Sequence, residues 1–478
     1  MKTKKAIVVD LDGTLSLTDT FHESLLLLAR NKPLLLFMIP FWMSKGRAIL
    51  KAKVAEKTDL NVTLLPYNKP LIDWLKDKKN NGEQIVLCTG ANEKIAQAVA
   101  QHLQIFDDVI SSNETINITS KNKRSVLVKK FGKRNYDYAG NSNDDLEVWT
   151  ACRNAIVVNA SSILRNKASL IASVSKIFSS KLITIQDWFR AFRVHQWIKN
   201  LLLFVPILAA HQVDNVQSML TLIFAFICFN MIASAVYMMN DLLDLESDRR
   251  HPRKRNRPFA AGTLSIRIGT ILSLLFAVIS LLLGFLISSS LFVCLILYLL
   301  LTTIYTLVLK RIFLIDCVTL ASLFTIRLIA GAVAVDIKLS FWLLIFSMFI
   351  FLSLAFVKRY AELKVQLQEK NSQIHGRGYT VSDASFIEKL GIAGGYSAVL
   401  VLAFYLNSET VKTLYSQPML IWFTLPLLFI WISWVWMKAR RGKMHDDPVV
   451  FALKDKVSLL VAGLIAIFFV LAIKGVSI

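Results

Sequence analysis

The sequence predicts a two-part, multidomain fold: an N-terminal α/β domain, then an all-α polytopic membrane domain of about nine transmembrane helices. Three observations predict it. Short buried-strand patterns alternate with helical ones over the first 175 residues or so, and long apolar runs fill the remainder. A group of carboxylates followed by a group of cations stands where one apolar run stops, between Asn240 and Gly262. The 478 residues are 55% apolar and their mean hydropathy is +0.52, which excludes an ordinary water-soluble chain. A net charge of +22 suits nucleic acid, anionic lipid or a phosphorylated substrate. In a membrane protein, lipid headgroups and topology signals account for much of it, so nucleic acid is not an expected partner. The five cysteines show no metal-type pairing, and three lie in apolar runs as small buried residues. The N-terminal apolar run is too short for a secretory signal peptide and ends in a charge.

Four segments read as strands: Ala6 to Val9, Gln84 to Cys88, Tyr136 to Ala139 and Ala155 to Val158. The first ends in Asp10-Leu11-Asp12-Gly13-Thr14, the second in Thr89-Gly90, and the third in Gly140-Asn141-Ser142-Asn143-Asp144-Asp145. Chemistry-bearing residues after the carboxyl ends of strands, with helices between, are the usual layout of an α/β active site.

These motifs resemble those of the haloacid dehalogenase superfamily of phosphotransferases, so residues 1–175 are expected to form a Rossmannoid phosphatase domain. The resemblance implies that Asp10 is the nucleophile that takes the phosphoryl group and Asp12 the general acid/base. It implies that Thr89 and Lys123 hold the phosphate, and that Asp10, Asp12, Asn141 and Asp145 surround a Mg²⁺ ion. Asn141 departs from the family, which usually has an acid there. An amide carbonyl can still ligate Mg²⁺, with less charge. The insert at about 15–82 reads as a helical cap. Its run Leu25 to Met43 is unusually apolar, yet Arg30, Lys32, Pro33 and Pro40 argue against a span. It is either the core of the cap or a surface that lies on the membrane.

Residues 176–196 are expected to form a linker, small and polar over Ser173 to Ser180, and an interfacial helix in which Trp188, Phe189 and Trp197 alternate with Arg190 and Arg193. Residues 197–478 then hold spans at about 197–213, 219–239, 268–288, 290–309, 312–334, 339–357, 388–407, 418–437 and 457–474. The connections 241–265, 310–311, 358–387 and 438–456 carry 19 Lys and Arg, against 2 in the opposite set. That asymmetry places the first set, and the N-terminal domain with it, in the cytoplasm.

Asp241, Asp244 and Asp248 are spaced i, i+3 and i+7. If the helix continues through them, they share about 60° of arc on one face. Clustered carboxylates call for a cation, and Mg²⁺ suits them because it takes oxygen ligands and often retains phosphate oxygens. Six basic residues follow, from Arg249 to Arg257, as a partner for phosphate. The alternative is a solvated juxtamembrane loop, which explains the cations but not the spaced acids. The loop at 438–456 adds Arg440, Arg441, Lys443, His445, Asp446 and Asp447. Within the spans, Asp316 and Arg327 lie three turns apart on one face, either as functional charges or as members of structural ion pairs between helices.

The membrane half resembles the UbiA superfamily of intramembrane prenyltransferases, on Asn240-Asp241-x-x-Asp244-x-x-x-Asp248, Arg257-Pro258, Tyr305 and Lys310. Lys358-Arg359-Tyr360-Ala361-Glu362 stands where aromatic-prenylating members carry a second Asp-rich motif. That segment, the run Arg193 to Asn200 and the run Asp447 to Asp455 resemble the decaprenyl-phosphate phosphoribosyltransferase branch. The resemblance implies phosphoribosyl pyrophosphate as donor, a polyprenyl phosphate as acceptor and Mg²⁺ as cofactor. On it, Asp241, Asp244 and Asp248, with Asn240, hold the metal and carry catalysis. Lys199, Arg255, Arg257, Lys310, Lys358 and Arg359 bind phosphates, while Tyr305, Tyr360 and Glu362 bind substrate. The N-terminal domain would then remove the 5-phosphate. The reading implies a multi-pass protein of a bacterial inner membrane with its sites on the cytoplasmic side. A homo-oligomer is compatible with it. Two alternatives stand: a prenyltransferase using polyprenyl diphosphate with an aromatic or other acceptor, and a transporter or lipid-binding scaffold with a non-catalytic N-terminal domain.

Overall fold

The computed structural model describes residues 6–179, 182–368, 378–444 and 447–474. His445 and Asp446 lie outside the described residues. The chain divides into two compact units, one of Met1–Val194 with Tyr237–Leu275 and one of His195–Val236 with Phe276–Ile478.

The first unit holds a six-stranded, all-parallel sheet. Its strands are β1 (Ala6–Val9), β2 (Gln84–Asn92), β3 (Asp108–Ser112), β4 (Tyr136–Gly140), β5 (Asn154–Val158) and β6 (Ser173–Phe178), in the order β3-β2-β1-β4-β5-β6. Alternate side chains feed two cores. Ile7, Val9, Ile85, Leu87 and Ile156 pack on one face, and Ala6, Val8, Val86, Cys88 and Val157 on the other. Burial on both faces explains why these strands read as continuous apolar runs. The four expected strands are present. Two more were not legible: β3 is a half-buried DVISS, and β6 is a largely exposed edge. The stretch Ser173 to Ser180, expected as linker, therefore begins with a strand. Its alternation is weak because four of its six residues are exposed, so neither face demands a continuous apolar set.

Helices Thr20–Asn31 and Arg47–Lys57 frame the cap. Asp19 starts the first by accepting hydrogen bonds from Phe21 N and His22 N, the usual role of an N-cap carboxylate. Leu28, Trp42, Leu50 and Val54 close a small separate core beneath.

Eight helices are long and apolar enough to cross a membrane among the described residues. They are α1 (Val216–Leu243), α2 (Ile266–Ile287), α3 (Ser289–Leu307), α4 (Ile315–Ala334), α5 (Phe341–Gln368), α6 (Ala384–Leu406), α7 (Thr424–Arg440) and α8 (Lys456–Lys474). The protein is an integral, multi-pass membrane protein. About nine spans were expected. The segment expected at 197–213 is a 3₁₀ run, Val194–Phe204, followed by a short helix, Val205–Ala209, where Pro206 occupies the first turn. Its close packing is made possible by Gly331 of α4, where a Cβ would stand 2.0 Å from the Leu203 carbonyl oxygen.

Candidate functional site

In the first unit, β1 delivers Asp10 to the point where the strand order reverses, between β2 and β4. Ligands of open α/β sheets bind at such switch points. Asp10 N donates to Ala139 O at 3.0 Å, which ties the turn after β1 to β4. The turn needs Gly13: its φ is +74° and a Cβ would lie 2.1 Å from Asn141 Nδ2. Thr14 Oγ1 donates to Asn141 Oδ1 at 3.2 Å, and Thr20 N donates to Asp12 Oδ1 at 2.8 Å.

Lys123 is buried against this turn. Its Nζ lies 2.9 Å from Asp10 Oδ1 and 3.8 Å from Asp145 Oδ1, and donates to the Tyr138 hydroxyl at 2.9 Å. Burial pulls the ammonium pKa down, but Asp10 and Asp145 more than offset that, leaving it above the ordinary lysine range. Burial pushes Asp10 up to about 6, with Lys123 opposing. It pushes Asp12 up to about 7, with the Asp19 carboxylate adding to the effect. Thr89 is fully buried and its hydroxyl accepts from Ala91 N at 3.0 Å. Asp145, expected as a ligand, is engaged in hydrogen bonds through both oxygens. Oδ2 accepts from Asn141 N, Ser142 N and Ser142 Oγ, while Oδ1 accepts from the Tyr138 hydroxyl at 2.7 Å. It holds the loop. Tyr138 is the residue the sequence did not single out, since a tyrosine inside a strand reads as core.

A hard cation fits this donor set. Asp10 offers a carboxylate and Asn141 an amide oxygen, which suits Mg²⁺ when a phosphate completes the shell.

The Asp-rich segment also lies in the first unit. Its helix does not continue through all three acids. The α1 helix ends at Leu243, Asp244 takes φ −101° and ψ 16°, and helix resumes over Leu245–Arg250. The break parts the triplet. Asp241 and Asp248 are buried and share one guanidinium nitrogen, Arg257 Nη1, at 3.1 and 2.6 Å. Arg193 also pairs with Asp241. Asp244, with 31% of its side chain exposed, stands 3.7 Å from Arg30 of the cap. Burial raises the Asp248 pKa, and Arg257 opposes the rise. Among the described residues, no three His, Cys, Asp or Glu side chains gather as a ligand set. Two buried carboxylates bridged by cations still fit Mg²⁺, which takes one or two carboxylates and fills the rest with water and substrate phosphate. Asn240 is half-buried, and Arg255 is exposed in the turn Lys254–Asn256.

The cap is pinned to this segment. Arg249 Nη1 and Nη2 donate to Glu23 Oε2 and Oε1 at 2.8 and 2.7 Å. Arg249 Nε reaches Ala260 O at 2.9 Å, and Asn61 N donates to Glu246 at 3.4 Å.

The second unit gathers the other predicted cations. Lys199 pairs with Asp447, and Lys358 Nζ lies 3.7 Å from the same carboxylate. Burial would raise the Asp447 pKa, but these two ammoniums hold it at about 2. Arg359 is fully buried; it pairs with Asp316, donates to Glu362 at 2.6 Å, and reaches the Tyr305 hydroxyl at 3.1 Å. Asp316 therefore pairs with Arg359. Arg327, three turns along α4, donates to Asn200 Oδ1 at 2.7 Å. Lys310 is half-buried beside α3. Tyr360 does not join the cluster: it is buried in the apolar core with its ring 5.9 Å from Trp436.

Near the start of α5, away from Lys358 and Arg359, lies an apolar cavity of about 700 Å³, whose lining includes Pro206, Trp342, Leu402, Leu428 and Phe469.

The fold defines a polytopic membrane protein with a fused α/β domain. The sequence model of the UbiA prenyltransferase family matches residues 201–460, and the chain belongs to that family. It is 34% identical over 472 residues to the uncharacterized protein y4nM of Sinorhizobium fredii, covering 98% of this chain and 91% of that one. It is 36% identical over 281 residues to decaprenyl-phosphate phosphoribosyltransferase of Mycobacterium tuberculosis, covering 57% of this chain and 89% of that one. A solved phosphoserine phosphatase superposes with a TM-score of 0.29 and 16% identity, over 37% of this chain and 94% of that one.

Proposed function

We propose that the chain transfers the 5-phosphoribosyl group of phosphoribosyl pyrophosphate to a polyprenyl phosphate, and that residues 1–175 then remove the 5-phosphate. On this reading, residues 176–196 connect that domain to the transferase, residues 197–478, and both sites face the cytoplasm of a bacterial inner membrane. The observation that carries the transfer is the buried Asp241 and Asp248 pair joined by Arg257. That arrangement suits a diphosphate donor, because acids and cations alternate where a leaving pyrophosphate gathers charge. The mycobacterial relative, a decaprenyl-phosphate phosphoribosyltransferase, supports the same reaction. Lys358 and Arg359, where a second acidic motif would otherwise stand, favour a donor with an additional phosphate over an allylic diphosphate.

Asp241 and Asp248 would hold Mg²⁺, which neutralises charge on a leaving pyrophosphate. An acceptor phosphate oxygen forms the new bond to the anomeric carbon as the bond to pyrophosphate breaks. The acceptor is already ionised near neutral pH, so no strong general base is required. Arg193 and Arg257 hold the two acids in register. The 700 Å³ cavity has the apolar lining that a polyprenyl tail needs.

In the N-terminal domain, the Asp10 carboxylate accepts the phosphoryl group and water later displaces it, dividing one displacement into two. Asp12, with its raised pKa, gives a proton to the leaving ribose hydroxyl and then takes one from the water. Lys123 steadies Asp10 and the phosphate.

The test uses membranes supplied with radiolabelled phosphoribosyl pyrophosphate, polyprenyl phosphate and Mg²⁺. Label is expected in lipid with the wild type, absent with Asp241→Asn, and trapped as a phosphorylated lipid with Asp10→Asn. Absence of labelled lipid in the wild type would overturn the transfer. A phosphorylated product left unchanged by the wild type would overturn the hydrolysis.

A further inference from the structure

We propose that the cap segment Pro33–Ser44 docks on the surface of an anionic bilayer, with Leu34, Phe37, Phe41 and Met43 entering the acyl region. Pro33–Met38 is a 3₁₀ turn and Ile39–Ser44 a short helix. Their side chains divide into two sets. Leu35, Leu36 and Ile39 turn inward onto the small core of Leu28, Leu50 and Val54. Leu34, Phe37, Phe41 and Met43 turn outward and are 78, 83, 52 and 61% exposed. A cap core would bury the second set; here it is left bare, and a contiguous apolar patch of this kind marks an interaction surface.

Charge selects the partner. Six basic residues and no acidic residue lie between Glu23 and Glu56. Lys32, Lys45 and Arg47 are exposed at the two margins of the apolar patch, and Lys45 Nζ stands 4.4 Å from the Phe41 ring centroid. An apolar strip edged by cations, with no anion among them, fits anionic headgroups above acyl chains. The strip is too short to cross a bilayer, so it lies in the plane of the interface. Docking of this kind does not depend on which ester the domain hydrolyses. On the hydrolytic reading above, it brings the cap to the level where a lipid-borne phosphate is presented.

The test places a fluorophore on the cap of the full-length protein in nanodiscs whose acyl chains are brominated near the headgroup. All five native cysteines are buried, so labelling is directed to one introduced thiol. Phe37→Cys is the probe, and Lys76→Cys, exposed on the helix Lys69–Asn80, is the control. Insertion to the headgroup–acyl boundary, about 5–10 Å deep, predicts bromine quenching at position 37 and none at 76, stronger in phosphatidylglycerol than in phosphatidylcholine. Quenching at 37 no greater than at 76 overturns the proposal. So does a fluorophore shielded from water but insensitive to bromine, which would assign the face to a second copy of the chain.

Discussion

At the residue scale, burial sets the chemistry of the N-terminal site. Asp12 is pushed up to about 7 chiefly by burial and next by the Asp19 carboxylate. A general acid must hold its proton, so hydrolysis of the phosphate ester is expected to fall as pH rises through about 7. Asp19→Asn keeps a side-chain oxygen for the helix N-cap but removes the repelling charge. The pKa of Asp12 then drops, and the descending limb of the pH–rate profile moves to lower pH; an unmoved limb would take Asp12 out of the acid role. Tyr138→Phe tests a residue that reads as core in sequence but links Lys123 to Asp145. The variant loses both of these buried hydrogen bonds, each worth about 1 kcal/mol, so kcat for hydrolysis should fall by roughly ten- to thirtyfold while KM stays nearly constant. Asp10, Asp12 and Thr89 could be singled out because they directly follow the carboxyl ends of strands, whereas Lys123, inside the helix Ser120–Phe131, was expected only from the family resemblance. The contacts of Tyr138 and Asp145 were not legible, because which donors an acid accepts from is decided in three dimensions.

At the element scale, the spacing of the three acids was legible and the break at Asp244 was not. A helix drawn straight through Asp241, Asp244 and Asp248 gives them one role; the interrupted helix buries two and leaves the third beside Arg30. Label transfer to lipid should therefore fall by about a hundredfold or more in Asp241→Ala or Asp248→Ala, and by no more than about tenfold in Asp244→Ala, whose partly exposed ion pair is worth little. Equal losses at all three positions would show that Asp244 rejoins the pair during turnover. The expected first span shows how length misleads. Its uninterrupted apolar part is short, yet 11 residues of 3₁₀ and 5 of α-helix extend about 30 Å, close to the thickness of a bilayer core. That segment rests its Leu203 carbonyl on Gly331. Gly331→Ala should lower the thermal stability of the purified protein and its transfer activity together, because a methyl group cannot fit 2.0 Å from backbone.

At the scale of the whole molecule, the sequence suggests a boundary between a soluble domain and a membrane domain, but the Asp-rich segment packs with the N-terminal unit. The contact that binds it there joins residues 226 positions apart, a pairing that no local periodicity encodes. Glu23 and Arg249 are nearly solvent-free, with 2 and 6% of their side chains exposed, and they meet through two parallel hydrogen bonds. Removing one partner leaves a buried charge uncompensated, which costs about 3–5 kcal/mol. Replacing both by apolar residues of similar size is nearly neutral. Glu23→Leu alone and Arg249→Met alone should each lower the unfolding temperature in detergent by roughly 10 °C, whereas the double variant should recover most of that loss. Arg249 directly follows Asp248, and Glu23 lies on the cap helix that begins at Thr20, whose N–H holds Asp12. The single variants should therefore depress both label transfer and hydrolysis. If the double variant restores stability but neither activity, the ion pair positions the two sites beyond holding the fold. Recovery of both activities with stability would reduce it to a structural tie.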